Sequence, residues 1–453
     1  MTTSPVIGVV GVGYVGLVSA ACFAELGYHV VCRDIVPEKV EDLRAGRIPI
    51  YEPGLADLVK RNAQRLTFTT DIRDVTERAS IVFVCVNTPP MYSGDADLSR
   101  VEQVIDELPA DTGNVVLAMK STVPVGTGAR MQALLDARGL GHVRYVSNPE
   151  FLKEGDAIAD FMSPDRVVIG GDDAEAVERM AKLHAPLEST IVRTDVATAE
   201  MIKVASNAFL ATKISFINEI ANVCEETGAD VLQVAEGMGL DQRIGRHFLR
   251  AGIGFGGSCF GKDVSALKQL AGNSGYHFQI LNAVMEVNEL QKRRLVAKLK
   301  KHLGSLNGRT IALLGLAFKP GTDDMREAAS LVIASRLLAE GAIVRAHDPV
   351  ANEVARPLLR NVEIFDDPMD MLDGADAAVL ITEWPEYAEL DLVRVREALR
   401  TPLLVDGRNL FTQTQASHAG LAYEGIGRPG SVVGTPRRRA EDESGAAAAG
   451  SEH

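Results

Sequence analysis

Cys259 stands in a stretch of unusually bare backbone, because residues 254–263 read GFGGSCFGKD. A cysteine that only fills a core usually has branched apolar neighbours, whereas glycines leave room for another molecule to approach the sulfur. A thiolate that is reached in this way attacks a carbonyl carbon. The sequence therefore predicts that Cys259 is a catalytic nucleophile.

A lysine and an asparagine have the spacing that such a nucleophile could use. From residue 198 to about residue 227 apolar residues recur at helical intervals, which predicts one long helix. Lys203 and Asn207 fall on one face of it. Asparagine is a poor choice for a helix interior, so the pair indicates a shared polar task.

Aldehyde oxidation is the chemistry that unites these residues. A thiol adds to an aldehyde to give a thiohemiacetal, loss of hydride gives a thioester, and water then releases a carboxylate. This route needs donors for an oxyanion and a carboxylate that activates water. The candidates for these tasks are Lys203, Asn207, Glu150 and Asp263.

A hydride acceptor is predicted from the N-terminal segment. An apolar run at residues 5–10 is followed by a G-x-G-x-x-G turn, a helical pattern, a second apolar run and Asp34. In this dinucleotide-binding fingerprint the glycines let the backbone approach a pyrophosphate, and the acid binds the ribose hydroxyls. The charge of Asp34 would repel a 2′-phosphate, which favours NAD over NADP, and Lys39 lies near the adenosine end. The turn consists of Gly11, Val12, Gly13, Tyr14, Val15 and Gly16.

The elements that must position these groups are predicted to form a parallel, doubly wound sheet. Apolar runs alternate with helical stretches, and polar segments follow three of the runs, at residues 87–90, 121–127 and 148–155. Ligands bind at the carboxyl ends of the strands in such a sheet. We therefore expect these three segments to lie at one site.

The pattern divides the 453 residues into four parts, since the chain is too long for one core. We predict a Rossmann domain over residues 1–196 and a central helical domain with the cysteine loop over residues 197–305. A second, smaller α/β domain is expected over residues 306–427, and a disordered tail over residues 428–453. The predicted fold class is α/β, with two Rossmann-like, doubly wound domains joined by a long central helix. The second domain has no G-x-G-x-x-G turn, so no second dinucleotide is assigned.

Composition excludes several classes of protein. The net charge of −14 and the absence of a basic stripe argue against nucleic-acid binding. No apolar run is long enough for a membrane span, and no signal-peptide layout is present. Five cysteines without C-x-x-C spacing favour neither disulfides nor a metal site, so we expect a cytoplasmic protein. Cys22, Cys32 and Cys85 lie in apolar segments and are expected in the core.

With these motifs, the chain resembles the UDP-glucose/GDP-mannose dehydrogenase family. The resemblance runs from about residue 7 to residue 408, and its segments appear in the family's order: GVGYVG, VNTPP, STVPVGT, NPEFLKEG, Lys203 with Asn207, GFGGSCFGKD and FKPGTDDMRE. It implies that the C6 alcohol of a nucleotide sugar is oxidised to the acid by two NAD without release of the aldehyde. UDP-glucose is the implied substrate, because residues 241–245 resemble the UDP-glucose branch.

The resemblance also implies roles for the matching residues. The catalytic residues would be Cys259 as nucleophile, Lys203 as oxyanion stabiliser, Glu150 as the base for hydrolysis, and Asn207, Asp263 and Thr122 around a water. NAD contacts are implied for residues 11–16, Asp34, Lys39, Thr88, Thr122, Glu154 and Arg326. Contacts to the nucleotide sugar, which the second α/β domain would help to bind, are implied for Glu150, Phe151, Leu152, Lys203, Asn207, Phe248, Leu249, Arg250, Gly252, Gly256, Phe318, Lys319 and Arg408. In the family an arginine matching Arg243 reaches the sugar of the neighbouring subunit, which implies a homodimer or a higher homo-oligomer.

Three other hypotheses compete with this one. The same chemistry could act on GDP-mannose or UDP-N-acetylmannosamine. A nucleotide sensor without catalysis could share the fold, although it would not need Cys259. A redox switch would need a resolving thiol, and no second cysteine lies near Cys259 in the sequence.

Overall fold

A computed structural model describes residues 5–430 of the chain. Most of the predicted tail, including its arginine run at residues 437–439, lies outside the described residues. No helix between residues 5 and 430 is both long and apolar enough to cross a membrane.

The first sheet has eight strands in the order β3-β2-β1-β4-β5-β6-β7-β8. Strands such as β1 and β4 are buried along their whole length, which is why they read as continuous apolar runs. The strands are β1 Ile7–Val10, β2 Val30–Arg33, β3 Leu66–Thr69, β4 Ile81–Val84, β5 Val116–Met119, β6 Arg144–Ser147, β7 Arg166–Gly170 and β8 Thr190–Thr194. The helices are α1 Tyr14–Glu25, α2 Pro37–Arg44, α3 Leu55–Arg61, α4 Ile72–Thr76, α5 Ser99–Glu107, α6 Thr127–Ala137, α7 Ala157–Met162 and α8 Ala174–His184.

The parallel order is broken once, between β6 and β7, so the fully parallel sheet that the sequence predicts is wrong at this point. Ser147 lies opposite Gly170 in an antiparallel pair, while β8 runs parallel to β7. β7 therefore starts at the edge of the sheet where β6 ends, and its first residue, Arg166, stacks on the ring of Phe151 at 3.5 Å. The reversal brings a cation to the edge that holds the site.

A 32-residue helix, α9 (Val196–Thr227), connects the two sheets, as predicted. Asp195 accepts a hydrogen bond from Thr198 N at 2.8 Å and begins the helix, and Gly228, at φ 79°, ends it. The helix is about 48 Å long at 1.5 Å per residue. The remaining central helices are α10 Val231–Gly239, α11 Phe260–Asn273, α12 Gln279–Gln291 and α13 Arg294–Leu303.

The second sheet is fully parallel, with six strands in the order β11-β10-β9-β12-β13-β14. Its first four positions repeat the 3-2-1-4 order of the first sheet, which is the Rossmann arrangement. The strands are β9 Thr310–Leu314, β10 Ile343–His347, β11 Glu363–Ile364, β12 Ala377–Leu380, β13 Leu403–Asp406 and β14 Ala422–Glu424. The helices are α14 Ala329–Ala339, α15 Asn352–Leu358, α16 Pro368–Leu372, α17 Pro385–Ala388, α18 Leu392–Ala398 and α19 Gln413–His418.

Asp348 follows β10 at the position that Asp34 has after β2. One oxygen of its carboxylate accepts hydrogen bonds from Leu316 N at 2.7 Å and Trp384 Nε1 at 3.1 Å. The Asp348 carboxylate is therefore already hydrogen-bonded to groups of the second domain.

Candidate active site

A cavity of about 910 Å³ lies between the first sheet, α9 and the second α/β domain. Its walls come from parts of the chain that are far apart in sequence but meet at the carboxyl edge of the first sheet. The predicted site residues that line it are Glu150, Phe151, Leu152, Glu154, Lys203, Asn207, Phe248, Gly256, Cys259, Phe318 and Lys319.

Lys203 and Glu150 form a buried ion pair, with Lys203 Nζ 3.1 Å from Glu150 Oε1. The other carboxylate oxygen accepts a hydrogen bond from Leu152 N at 2.5 Å. Burial opposes the charge of Lys203, but Glu150, Asp263 and Cys259 together raise its pKa. The lysine is therefore a firmly charged donor at the wall of the cavity.

Asn207 lies one helical turn after Lys203 and contacts a second carboxylate. Asn207 Nδ2 donates to Asp263 Oδ2 at 2.6 Å, and Lys262 Nζ lies 2.7 Å from Asp263 Oδ1. Asp263 is 1% exposed. The shared face of α9 thus presents two polar side chains, each paired with an acid from another segment.

The Cys259 side chain is exposed to the cavity and stands just before α11. The surrounding walls raise the pKa of its thiol by desolvation, and Glu150 raises it further, while Lys203 lowers it. The thiol is therefore mostly protonated at neutral pH in the ligand-free protein, and Lys203 is the group that favours its thiolate.

Side-chain amides hold the backbone that precedes Cys259. Asn288 accepts from Phe255 N at 2.8 Å and donates to Phe255 O at 3.1 Å. Asn218 accepts from Gly252 N at 2.8 Å, and Arg408 Nη1 donates to Gly254 O at 2.9 Å. Asn218 and Asn288 were not predicted from the sequence, although an asparagine inside a helix is the signal that singled out Asn207.

The glycines of this loop make close contacts with the second α/β domain. A Cβ on Gly256 would lie 2.5 Å from Glu327 O, and one on Gly257, at φ +81°, would lie 2.9 Å from the Phe318 ring. Gly257 N also donates to Arg326 O at 2.9 Å. The bare backbone therefore lets another domain approach, in addition to leaving the thiol open.

The dinucleotide turn has the geometry that NAD binding requires. A Cβ on Gly16 would lie 1.9 Å from Gly11 O, so the turn must be this tight. Gly13, at the start of α1, has an open face, since the nearest atom to a Cβ there is Asn87 Oδ1 at 3.9 Å. A pyrophosphate fits on this face at the helix N-terminus. Asp34 accepts from Val12 N at 3.0 Å and lies 3.2 Å from Lys39 Nζ.

Glu154 joins the first sheet to the second domain. It accepts from Thr322 Oγ1 at 3.1 Å and lies 3.5 Å from Arg326 Nη2. Burial raises the pKa of its carboxyl to about 7, with a further contribution from Asp324. Of the implied cofactor contacts, Glu154 and Arg326 thus come together across two domains.

Two buried acids, Glu52 and Glu200, hold the strand-end loops, and neither was predicted from the sequence. Glu52 accepts from Tyr14 Oη, from Gly155 N at 2.6 Å and from Ala157 N at 2.8 Å, so it ties the dinucleotide turn to the Glu150 loop. Glu200 accepts from Gly126 N and Gly128 N, each at 2.8 Å.

Several predicted residues lie outside the cavity wall. Thr122 is one of them, and its backbone carbonyl accepts a hydrogen bond from Thr88 Oγ1 at 2.8 Å. Leu249 is buried in the core of the second domain. Arg243 is exposed and pairs with Asp241 at 2.6 Å. Arg250 is exposed, and Gly252 and Arg408 lie next to each other below the loop. The wall also lacks Asp263, Asp34, Lys39, Thr88, Arg326 and residues 11–16.

Among residues 5–430 no cluster of three or more His, Cys, Asp or Glu side chains could hold a metal. The dinucleotide turn, which opens the first sheet as in NAD-binding domains, points to an NAD-dependent oxidoreductase. The comparisons agree. Residues 6–188 match the NAD binding domain of the UDP-glucose/GDP-mannose dehydrogenase family, residues 197–290 its central domain and residues 312–413 its UDP binding domain. The chain belongs to this family.

Known relatives cover almost the whole chain. A UDP-glucose 6-dehydrogenase of Bacillus subtilis is 49% identical, over 95% of this chain and 94% of that protein. One of Pseudomonas aeruginosa is 47% identical, over 93% and 97%. The solved structure of a UDP-glucose dehydrogenase from Pyrobaculum islandicum has a TM-score of 0.87 at 40% identity and covers 94% of this chain and 99% of that one.

Proposed function

We propose that the chain catalyses the four-electron oxidation of UDP-glucose to UDP-glucuronate with NAD. The observation that carries this proposal is the meeting of Cys259, Lys203, Asn207 and Glu150 in one cavity beside the dinucleotide turn. UDP-glucose is chosen because relatives that are 49% and 47% identical over nearly their full lengths are named UDP-glucose 6-dehydrogenases.

The first oxidation converts the C6 alcohol to an aldehyde. NAD, when bound, accepts the hydride in each of the two oxidations. Lys203 and Asn207 hold the C6 oxygen, and the hydroxyl proton passes to Asp263, which contacts Asn207. A water positioned by Thr122 and Asn207 carries this proton.

The second oxidation takes place on Cys259. The thiol gives its proton to water in the cavity, its sulfur bonds to the aldehyde carbon, and the resulting oxyanion faces the Lys203 ammonium. Loss of hydride from that carbon gives a thioester. Water then attacks the thioester, Glu150 takes its proton, the C–S bond breaks and the thiol is restored. Because Lys203 binds Glu150 in the ligand-free protein, an oxyanion that attracts Lys203 also releases Glu150 Oε1 for this step.

Lys319 and the loop at residues 248–252 are placed to bind the nucleotide. Lys319 lines the cavity and stacks at 5.8 Å on Phe318. Burial lowers the pKa of Lys319, with Glu154 and Asp156 acting against it, and an incoming diphosphate would raise this pKa again. Arg408 holds the loop from below through Gly254.

We infer a homodimer, a cytoplasmic location and the four-part division at residues 196, 305 and 427. Phe209, Phe216 and Val223 are exposed at seven-residue intervals along α9, which gives one apolar stripe for a second copy. Exposed Arg243 could reach the active site of this second copy.

Five free cysteines fit a reducing compartment. The three family matches fall within the proposed boundaries.

The test is NADH release with purified enzyme on UDP-glucose, GDP-mannose and UDP-N-acetylmannosamine. We expect two NADH per UDP-glucose and an acid product. Cys259→Ser should lose acid formation by at least about a thousandfold while it retains NAD binding. Cys224→Ser, which changes a buried cysteine away from the cavity, serves as the control. Turnover of GDP-mannose without turnover of UDP-glucose would contradict the assignment of UDP-glucose as the substrate.

A further inference from the structure

The loop that leads to Cys259 is buried at residues 252–255, yet among residues 5–430 no strand pairs with it. Buried backbone groups need hydrogen-bond partners, and here side-chain amides supply them. Gly252 N donates to Asn218 Oδ1 at 2.8 Å, and Gly252 O accepts from Gln291 Nε2 at 2.9 Å. Both polar groups of this glycine are thus held by side chains, one from α9 and one from α12.

Asn288 makes a similar arrangement three residues further along the loop. Its Oδ1 accepts from Phe255 N at 2.8 Å and its Nδ2 donates to Phe255 O at 3.1 Å. One amide therefore takes the place of a residue in an antiparallel strand. This close approach also requires Gly254, because a Cβ there, at φ +89°, would lie 2.6 Å from Asn288 Oδ1. Asn288 is 2% exposed, so bulk water does not compete for its amide.

Phe255 also contacts the residue that follows Cys259. Its ring packs edge-on against the Phe260 ring, with the centroids 5.5 Å apart. Phe260 is the first residue of α11, and residues 256–260 all line the cavity. Phe255 therefore fixes the loop before the cysteine through its backbone and after the cysteine through its ring.

The helix that bears both of these amides, α12, is joined to the helix that bears Lys203. Ser215 Oγ on α9 donates to Val284 O on α12 at 2.8 Å. Asn222 Nδ2 on α9 donates to Gln291 Oε1 at 3.2 Å. The cysteine loop and the Lys203 ammonium therefore take their positions from the same pair of helices.

We propose that Asn288 and Gln291 are positioning residues for Cys259, which hold its loop at a fixed place relative to Lys203. The inference rests on the proposed function, since it takes Cys259 as the nucleophile. In the step concerned the C–S bond forms and the thiol proton goes to water. Attack requires the reacting atoms to lie about 3–3.5 Å apart, and a misplacement of about 1 Å can cost a hundredfold in rate. Neither amide lines the cavity, so each acts through the loop.

The first test is kcat for acid formation from UDP-glucose in Asn288→Asp, which keeps the size of the side chain. A carboxylate still accepts from Phe255 N but cannot donate to Phe255 O, so kcat at about pH 8 should fall at least about tenfold. Burial beside a carbonyl oxygen raises the pKa of a carboxyl, and the protonated form donates and accepts as the amide does. The ratio of the variant kcat to the wild-type kcat should therefore rise between about pH 8 and about pH 6.

Asn282→Asp makes the same change on α12 at an exposed contact with His277 and should leave kcat within about twofold of the wild type. The Tm of each variant is measured at both pH values. A lower Tm with unchanged kcat would show a role in stability alone and would overturn the proposal. A loss of kcat that is equal at every pH would also overturn it.

The second test uses Gln291→Met, a neutral change that removes the donor to Gly252 O, and requires no turnover. Burial is the main cause of the raised pKa of Cys259, so a looser loop should react faster with iodoacetamide, by at least about threefold near pH 7. Gln279→Met, at the exposed first residue of α12, is the control. Equal alkylation rates in Gln291→Met and the wild type would overturn the proposal. If the wild type failed to oxidise UDP-glucose, the proposed function would fail, while faster alkylation in Gln291→Met would still support the positioning of Cys259.

Discussion

At the scale of single residues, Cys259 and Lys203 depend on each other. Lys203 favours the thiolate of Cys259, whereas desolvation and Glu150 oppose it. A thiol that is held protonated at rest does not react with stray electrophiles as readily as a free thiolate. The Cys259 thiol becomes a nucleophile when an aldehyde is bound and a nearby group accepts the thiol proton.

Alkylation of Cys259 by iodoacetamide tests this dependence. The midpoint of the rate against pH should lie above about 8.5, the ordinary cysteine value, because burial and Glu150 raise the pKa. Lys203→Met should move the midpoint higher still. Lys213→Met removes another cation from the cavity wall, one that does not act on Cys259, and should leave the midpoint in place. A midpoint below about 8.5 would show that the pKa of Cys259 is not raised.

At the scale of elements, the site depends on buried acids that hold helix ends and loops. Glu200, which projects from α9, caps the start of α6 through Gly126 and Gly128. The loop of Thr122 precedes that cap, so α9 carries both Lys203 and the anchor of the neighbouring strand-end loop. A displacement of α6 would therefore move Thr122 relative to Lys203.

The thermal stability of Glu200→Gln as a function of pH tests this cap. Burial raises the pKa of Glu200 to about 7, above its unfolded value. Between about pH 4.5 and pH 7 the folded protein then holds a proton that the unfolded chain has lost, so stability falls as pH rises through this window. The stability of the Glu200→Gln variant should not show this part of the decrease with pH. The Tm advantage of the wild type over the variant should shrink from pH 5 to about pH 7.5.

An equal advantage at every pH would show that the pKa of Glu200 is not raised. Glu178→Gln changes an exposed carboxylate at the protein surface and provides the control. Its Tm difference from the wild type should vary little with pH, because exposed ion pairs contribute little to stability.

The sequence predicted the strands that are buried on both faces, because their composition is a direct consequence of that burial. It could not predict the direction of β7, since an apolar run reads the same in either direction. It identified Lys203 and Asn207 from their spacing, but not their partners, because a pairing such as Asn207 with Asp263 exists only after α9 and α11 have packed. Glu52 was missed for the same reason, as its three donors come from two distant loops.

At the scale of the whole molecule, α9 carries the inferred dimer interface and the active site at once. The stripe of Phe209, Phe216 and Val223 lies on the exposed side of the helix, and Phe209 also lines the cavity. Assembly of two copies would therefore alter the surroundings of the site. Oligomeric state and activity should change together.

Phe216→Glu tests this coupling, because a charge at the centre of the stripe disfavours burial against a second copy. By light scattering we expect this variant to be a monomer and the wild type a dimer, and we expect the variant to have a lower kcat. Ile343→Glu places the same charge on an exposed apolar residue of the second sheet and should leave the dimer intact. A dimeric Phe216→Glu protein would place the interface elsewhere.

The contacts of Gly256 and Gly257 with Glu327 and Phe318 have a consequence for the order in which the protein is made. The first sheet can form while later residues are still being synthesised, but the cysteine loop lacks its supporting wall until Phe318 and Arg326 have left the ribosome. A nascent chain that stops at α13 would therefore carry the cysteine loop without the wall that Phe318 and Arg326 supply.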